Sequence, residues 1–144
     1  NNATPEPGDG REIAAMADVL IVNETEASEL LGIRGGDPDW LEVAESLRRL
    51  GPPAAIVTLG EAGAVIVAEG IAELLPAPKV KVVDSTGAGD AFCGAFAARI
   101  AAGGDILNAA RAGVVAGSLA VTKAGAQPSM PRRDEIDRLL ANAT

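Results

Sequence analysis

Residues 84–90 hold the side chains and glycines best suited to chemistry, since two glycines and a carboxylate stand where an apolar helical run begins. Gly87 and Gly89 let backbone N–H groups approach a ligand, and at a helix N-terminus such groups form an anion site. Two familiar phosphate motifs do not fit this 84–90 loop. A dinucleotide fingerprint needs Gly or Ala where Phe92 stands, and a P-loop needs Lys-Ser or Lys-Thr directly after Gly94.

Asp90 ends this loop and is the candidate general base. No Lys or Arg occurs between residues 84 and 98, so the charge of a phosphate would be met by N–H groups, the helix dipole and a metal ion. A carboxylate beside such a site is electrostatically unfavourable unless it takes a proton from an attacking hydroxyl. On the loop alone, the alternative that Asp90 only caps the helix and the glycines only turn the chain stays open.

Two other segments carry polar groups at strand ends. Asn23 and Glu26 are spaced as a capping box, and the same pair could organise a hydrated Mg²⁺ ion, which commonly contacts protein through few carboxylates. Thr58 and Gly60 lie at the end of another predicted strand, where they form either a plain turn or a contact with a nucleotide phosphate. The sequence alone leaves both pairs of alternatives open.

Composition narrows the function classes. The 144 residues are 48% hydrophobic, enough for one compact domain with a core, and the net charge of −8 argues against a broad nucleic-acid surface. The absence of histidine excludes a Ser-His-Asp triad, a Cys-His dyad and a His-bearing zinc site. Cys93 is the sole cysteine, so it forms no internal disulfide. We expect its side chain to pack as a small buried apolar group. No apolar run is long enough for a bilayer, so we expect a soluble, cytoplasmic protein.

Strands alternate with helices along the chain, which predicts an α/β fold with a largely parallel sheet and its ligand site beyond the carboxyl ends of the strands. Asp37 is the expected N-cap of the helix predicted at residues 38–50, and Asp105 is the expected cap of the helix predicted at residues 105–121. The predicted strands are 18–22, 54–58, 64–68, 71–75 and 80–83. The predicted helices are 10–17, 24–31, 38–50, 91–102, 105–121 and 131–141. Residues 1–7 resemble an interior loop, so we expect the chain to be a fragment.

Taken in order, Asn-x-x-Glu, Thr-Leu-Gly, Asp-Ser-Thr-Gly-Ala-Gly-Asp and Gly-Ala-Gln-Pro-Ser closely resemble the ribokinase branch of the PfkB carbohydrate kinases. The resemblance runs from about residue 17 to the C-terminus, and Gly-Ala-Gly-Asp is its most specific part. It implies a ribokinase-like three-layer fold with helices on both faces of the sheet. It also implies ATP-dependent phosphorylation of a sugar hydroxyl, with ATP, Mg²⁺ and K⁺ as cofactors.

The resemblance also assigns roles by position. Asp90 would be the catalytic base, and the N–H groups of Gly87, Ala88, Gly89 and Asp90 would form the anion hole. Asn23 and Glu26 would organise Mg²⁺ through water. The nucleotide would lie along Thr58, Gly60, Gly63 and Val114. At the position of Val114 the family often has a polar residue that contacts adenine. A K⁺ site would be formed by Asp84, Thr86, Ala120, Lys123, Gly125 and Ser129.

Kinases of this kind also carry an N-terminal sugar-binding part and a β-sheet lid, neither of which is recognisable in this sequence. Residues 1–144 would then be the C-terminal nucleotide-binding and catalytic-base portion, inactive in isolation because the sugar hydroxyl is not positioned. The 125–129 loop favours ribose, giving ribose 5-phosphate. Fructose, a keto-deoxy sugar acid, a nucleoside or a non-catalytic nucleotide-binding module remain alternatives. The expected partners are ATP and a small sugar, not nucleic acid or a membrane, with a homodimer possible for the complete protein.

Overall fold

The computed structural model describes residues 10–142, so the expectation for residues 1–7 lies outside the described part. The chain divides into two compact units. The first holds the described residues up to Gly60 together with Ala64–Leu74, and the second holds Glu61–Gly63 and the described residues from Leu75 onward. Each of the two units has its own apolar cluster.

A four-stranded sheet is built from β1 (Val19–Asn23), β2 (Ala54–Thr58), β3 (Ala64–Ala68) and β4 (Ile71–Leu75), in that order. β1 and β2 are parallel, whereas β2 and β3 are antiparallel. β3 and β4 are joined by two residues, a connection that only antiparallel neighbours can make. The α/β class is confirmed, whereas the predicted largely parallel sheet is wrong: the described sheet is mixed, with β1 and β2 as its one parallel pair, because the short β3–β4 connection allows only antiparallel pairing.

Helices α1 (Gly10–Ala15), α2 (Glu24–Leu31) and α3 (Trp40–Arg48) complete the first unit. The alternating strand residues Leu20, Val22, Ala55 and Val57 cluster with apolar side chains of α2 and α3. α2 ends at Gly32, whose φ of 71° is the left-handed conformation that a helix C-terminus commonly takes. The burial of one apolar stripe of each helix therefore holds α2 and α3 on the sheet.

The second unit contains α4 (Ala88–Ala101), α5 (Ile106–Ala120) and α6 (Arg133–Asn142). A Cβ atom at Gly113 would stand 3.0 Å from the Phe92 ring, and one at Gly117 would stand 3.3 Å from the Ala88 carbonyl oxygen. These glycines let α5 approach the first turns of α4 closely. The N-terminus of α4, where the 84–90 loop ends, is thereby fixed against α5.

The structure corrects three predictions on helix starts, the simplest being that α6 begins at Arg133 rather than at residue 131. Asp39, not Asp37, is the N-cap of α3, because its Oδ1 atom accepts hydrogen bonds from the N–H groups of Leu41 (2.9 Å) and Glu42 (3.4 Å). α4 begins at Ala88 rather than at residue 91, so Gly89 and Asp90 belong to its first turn.

The predicted strand at residues 80–83 is wrong. This stretch has no strand partner in the described chain, and Val82 and Val83 are each 58% exposed. The Val83 N–H group instead donates to the carbonyl of Val121, just after α5. A run of β-branched residues is not sufficient for a strand where no neighbouring strand supplies the ladder.

No helix within residues 10–142 combines the length and the apolar character that a membrane crossing requires.

Candidate active site

The 84–90 loop leads directly into α4, and Gly87 is the N-cap residue of that helix. Its φ of 80° lies in the left-handed region, which favours glycine, and no side chain caps the helix. The Ala88 N–H group donates to the Ser85 carbonyl at 3.3 Å. Within the described residues, the N–H groups of Gly87, Gly89 and Asp90 have no acceptor. Three of the four N–H groups that the resemblance assigns to an anion hole are thus available to a ligand.

Asp90 lies in the first turn of α4, and its side chain is exposed. It stands at the edge of a cleft of about 300 Å³ between α4 and the start of α6, whose walls include Ala91, Met130 and Ile136. A substrate hydroxyl can therefore reach the carboxylate from solvent. A carboxylate near a helix N-terminus is also where the helix dipole favours negative charge.

Asp84, at the start of the loop, accepts three hydrogen bonds. Its Oδ1 atom accepts from the N–H group (2.9 Å) and the hydroxyl (2.6 Å) of Thr86. Its Oδ2 atom accepts from the N–H group of Gly125 at 2.8 Å. These bonds, the Thr86 hydroxyl first, lower the pKa of Asp84 from 3.8 to about 2. Asp84 is therefore ionised at neutral pH and joins the 84–90 loop to the 125–129 loop.

Residues that the sequence did not single out also hold this loop. A Cβ atom at Gly87 would meet the Met130 methyl group at 3.0 Å and the Ala126 Cα atom at 3.2 Å. The Val121 carbonyl accepts from the N–H group of Asp84 at 3.2 Å. No sequence pattern marks contacts of this kind, because every residue has a backbone carbonyl and many side chains can supply an apolar contact.

The remaining residues assigned to a K⁺ site have protein partners of their own. The Lys123 ammonium group lies 3.2 Å from a carboxylate oxygen of Glu135, so its charge is paired. The side chain of Ser129 is fully buried, and its hydroxyl donates to the Ala126 carbonyl at 2.7 Å. The carbonyl of Ala120, also a buried residue, accepts from the Lys123 N–H group at 3.2 Å. For these residues, backbone carbonyls rather than side chains are the available cation ligands.

Asp84, Thr86 and Gly125 are the part of this set that the structure brings together. The Oδ1 atom of Asp84 already accepts two hydrogen bonds, whereas Oδ2 accepts one and keeps one acceptor position. Carboxylate and carbonyl oxygens are the ligands that bind K⁺ in proteins. The residues thus fit a cation held through oxygen, with Asp84 contributing through Oδ2.

In the first unit, Asn23 and Glu26 form the capping box that their spacing predicts. The Glu26 N–H group donates to Asn23 Oδ1, and the Asn23 N–H group donates to Glu26 Oε2, both at 2.9 Å. The other carboxylate oxygen of Glu26 accepts no hydrogen bond from residues 10–142, so the pair can still meet the water shell of Mg²⁺. Among the described residues, no three acidic or cysteine side chains cluster as a metal cage.

Thr58 is the register partner of Asn23 at the carboxyl ends of the parallel strands β1 and β2. Its hydroxyl donates to the Val22 carbonyl at 3.5 Å, a long hydrogen bond that leaves its oxygen available as an acceptor. The edge predicted to hold a ligand therefore carries both polar side chains. Because ligands commonly bind beyond the carboxyl ends of parallel strands, Asn23 and Thr58 stay candidate contacts.

The other candidate nucleotide contacts differ in surroundings. Gly60 is exposed, with φ 52°, whereas Gly63 has φ 108° and lies so close to Leu75 and Ala77 that a Cβ atom would clash with their backbone. Val114 lies in the middle of α5 with 6% of its surface exposed. Gly63 thus has a structural reason for its type, and Val114 is a core position.

The pfkB family carbohydrate kinase profile matches residues 2–133. The ribokinase of Staphylococcus aureus strain COL is 33% identical over 140 residues, which are 96% of this chain and 46% of that enzyme. The ribokinase structure from Thermotoga maritima superposes with a TM-score of 0.86 and 36% identity, covering 98% of this chain and 48% of the other.

The Arabidopsis thaliana ribokinase, solved with ribose and ATP, has a TM-score of 0.80 and 34% identity, covering 90% of this chain and 43% of that one. Two Escherichia coli structures are each 26% identical. One, described as a ribokinase II, was solved with ATP and Mg²⁺ and has a TM-score of 0.79, with 92% of this chain and 42% of that one covered. The other is phosphofructokinase-2 with potassium, with a TM-score of 0.81 and coverages of 94% and 45%.

The chain spans less than half the length of the curated relatives it matches and about half that of the matching solved structures. The match nevertheless extends over most of this sequence and includes the 84–90 loop. The ribokinase-like α/β fold expected from the sequence is confirmed by the solved structures. On the agreement of profile, relatives and fold, this chain belongs to the pfkB family of carbohydrate kinases.

Proposed function

We propose that this chain supplies the ATP site, the anion hole and the catalytic base of an ATP-dependent sugar kinase. The observation that carries the proposal is the start of α4, where the exposed carboxylate of Asp90 stands beside N–H groups that have no protein acceptor among the described residues. A base for a hydroxyl and donors for a phosphoryl group are thus within one helical turn. Phosphoryl transfer needs little more from a protein than such positioning and charge stabilisation.

The proposed reaction transfers the γ-phosphoryl group of ATP to a sugar hydroxyl. Asp90 accepts the hydroxyl proton while the oxygen forms a bond to the γ-phosphorus atom. The bond between that phosphorus and the bridging oxygen breaks, and its electron pair leaves with ADP. The N–H groups of Gly87 and Gly89 and the positive end of the α4 dipole stabilise the charge on the transferred group.

Mg²⁺ and K⁺ are the proposed cofactors besides ATP. Asn23 and Glu26 would hold Mg²⁺ through water, and Asp84 Oδ2 with neighbouring backbone carbonyls would hold K⁺. When bound, these cations neutralise phosphate charge and support the loops around the phosphates. Support for the proposal comes from the second carboxylate oxygen of Glu26 and from the open acceptor position on Asp84. Related structures with ATP and Mg²⁺, or with potassium, add to it.

D-ribose, converted to ribose 5-phosphate, is the substrate we propose. The ribokinases among the relatives and the 125–129 loop support this choice. Recognition of the sugar would depend on a part of the relatives that this chain does not span. The isolated chain would accordingly turn over slowly or not at all, because positioning of the acceptor accounts for about 7 to 11 kcal/mol of the barrier in such reactions.

The test compares the complete protein with its Asp90→Asn variant, measuring ATP consumption with ribose, fructose, a keto-deoxy sugar acid and a nucleoside in turn. Loss of the base is expected to lower kcat for the preferred sugar about 10²- to 10⁴-fold. Asp105→Asn removes the same charge at the far end of α4 and keeps a good N-cap, so its activity should match the wild type.

Titration with Mg·ADP separates catalysis from binding. Nucleotide affinity that survives Asp90→Asn together with the loss of kcat would support the base. A wild-type protein that binds Mg·ADP but consumes no ATP with any of these acceptors would instead be a nucleotide-binding module. Turnover that Asp90→Asn leaves unchanged would contradict the assignment of Asp90.

A further inference from the structure

We propose that Asp84 is a positioning residue of the anion hole, tying the 84–90 loop to residues 125–130 and thereby fixing Gly87 at the start of α4. The inference rests on the function proposed above. It assigns Asp84 a role that it performs through protein hydrogen bonds, beside any role as a cation ligand.

The first step of the argument is the bridge itself. Asp84 and Gly125 are 41 residues apart in sequence, yet Oδ2 and the Gly125 N–H group lie 2.8 Å apart. The other oxygen of the carboxylate accepts from Thr86, two residues further along the loop, through both its N–H group and its hydroxyl. One ionised side chain thus holds both loops, and charge-assisted hydrogen bonds of this kind are stronger than neutral ones.

The second step is what the bridged segment touches. Gly87 lies against residues that follow Gly125. A Cβ atom added at Gly87 would stand 3.0 Å from the methyl carbon of Met130 and 3.2 Å from the Cα atom of Ala126. Gly87 is the N-cap whose left-handed φ of 80° sets the direction of the N–H groups at the start of α4. A change in the distance between the two loops would therefore move Gly87 and those donors.

The third step is that the loop has few other restraints. Ser85 and Thr86 are exposed, and no side chain caps α4. Apart from the Asp84 bridge, the bonds that hold this end of the loop within the described residues are two backbone contacts to Val121. N–H donors that stabilise developing charge must stand within about 0.5 Å of their working positions, so loss of the bridge should lower kcat.

The experiment uses the complete protein and the Asp84→Asn variant, which keeps the acceptor for Thr86 and places an amide group toward the Gly125 N–H group. We expect kcat to fall about 10²-fold with KM for ATP changed less than about threefold, because a misplaced anion hole weakens the transition state more than the ground state. Asp105→Asn, which removes the same charge at the N-cap of α5, is the matched control.

Two further measurements separate the bridge from cation binding. Hydrogen exchange at the Gly125 amide, followed by NMR after labelling with ¹⁵N-glycine, should be faster in Asp84→Asn and unchanged in Asp105→Asn. The part of the loss of kcat that comes from the bridge should persist when choline replaces K⁺, whereas any part that comes from a lost cation ligand should disappear. If Asp84→Asn does not fold, Thr86→Val removes the 2.6 Å hydroxyl bond alone and should lower kcat about tenfold.

Contrary results bear either on the inference about Asp84 or on the proposed function. A folded Asp84→Asn protein with wild-type kcat, or with wild-type exchange at Gly125, would overturn the inference, as would wild-type kcat in Thr86→Val. So would a loss of kcat that vanishes without K⁺, since Asp84 would then act only as a cation ligand. A wild-type protein with no sugar-dependent ATP consumption would instead refute the proposed function.

Discussion

The carboxylate of Asp84 and the backbone N–H group of Gly125 are joined by a 2.8 Å hydrogen bond between two loops of the second unit. Bonds to Thr86 and Gly125 hold the pKa of Asp84 at about 2, below its ordinary value of 3.8. The folded state therefore binds this proton less readily than the unfolded state does. Asp84 stabilises the fold above its unfolded pKa, and this contribution is lost as the pH falls through the folded pKa.

We accordingly predict that Asp84→Asn lowers the free energy of unfolding near neutral pH and that its difference from wild type narrows between about pH 4 and pH 2. Urea unfolding at a series of pH values, with choline in place of K⁺, measures this. Asp37→Asn is the control, because Asp37 is exposed and accepts no hydrogen bond from residues 10–142. A difference between variant and wild type that stays constant down to pH 2 would show that folding does not lower the pKa of Asp84.

Gly87→Ala and Gly94→Ala should change stability in opposite directions. At Gly87 the left-handed φ costs an L-residue about 1–2 kcal/mol, and the new methyl group would press on Met130. Gly94 lies inside α4 with open space around it, so alanine there should add up to about 1 kcal/mol through helix propensity. Thermal unfolding of both variants measures the two effects. Equal stability of the two proteins would contradict the conformation assigned to Gly87.

Gly63→Ala should destabilise the protein more than Gly60→Ala does. Both glycines have positive φ, so both pay the left-handed strain of about 1–2 kcal/mol. At Gly63 the added Cβ would also stand 2.7 Å from the Ala77 nitrogen and closer still to the Leu75 carbonyl oxygen, whereas nothing lies within 4 Å at Gly60. Soluble yield and urea midpoints provide the comparison, and a Gly63→Ala protein as stable as Gly60→Ala would show that the backbone there yields easily.

Variants of the capping box should separate its structural role from its proposed role toward Mg²⁺. Asn23→Ala removes the acceptor for the Glu26 N–H group and should cost about 0.5–2 kcal/mol of stability, while Asn23→Asp keeps the cap. Glu26→Gln retains an oxygen for the Asn23 N–H group but removes the charge, so stability should change little.

The readout for Mg²⁺ is the concentration that gives half-maximal kinase activity in the complete protein. Glu26→Gln should raise this concentration about tenfold, within the range found when groups that orient a bound metal are lost. An unchanged Mg²⁺ requirement in Glu26→Gln would leave Glu26 with its helix-capping role alone.

Much of the local structure was predictable because it depends on neighbours in sequence. The apolar runs that form β1 to β4 and the N-caps at Asn23 and Asp105 have short-range causes, and they lie where the sequence predicts. The same holds for the glycines and carboxylate of the 84–90 loop, whose spacing is enough to indicate an anion site.

Where the sequence was ambiguous, packing decided. Asp37 and Asp39 are both good N-caps for α3, and Asp39 takes that place because its carboxylate reaches the N–H groups of Leu41 and Glu42 while Trp40 and Leu41 pack on the core. Residues 80–83 have the composition of a strand and lack a described partner strand, so they do not join the sheet.

The sequence by itself determined which residues are candidates for binding phosphate and taking a proton, because residue type and short spacing suffice to mark a glycine loop ending in Asp90. Only the tertiary structure decided that Asp84 bonds Gly125 and that Met130 lies against Gly87. Those contacts join residues about 40 positions apart in the chain, and their partners include a backbone amide and a methyl group, which no local pattern identifies.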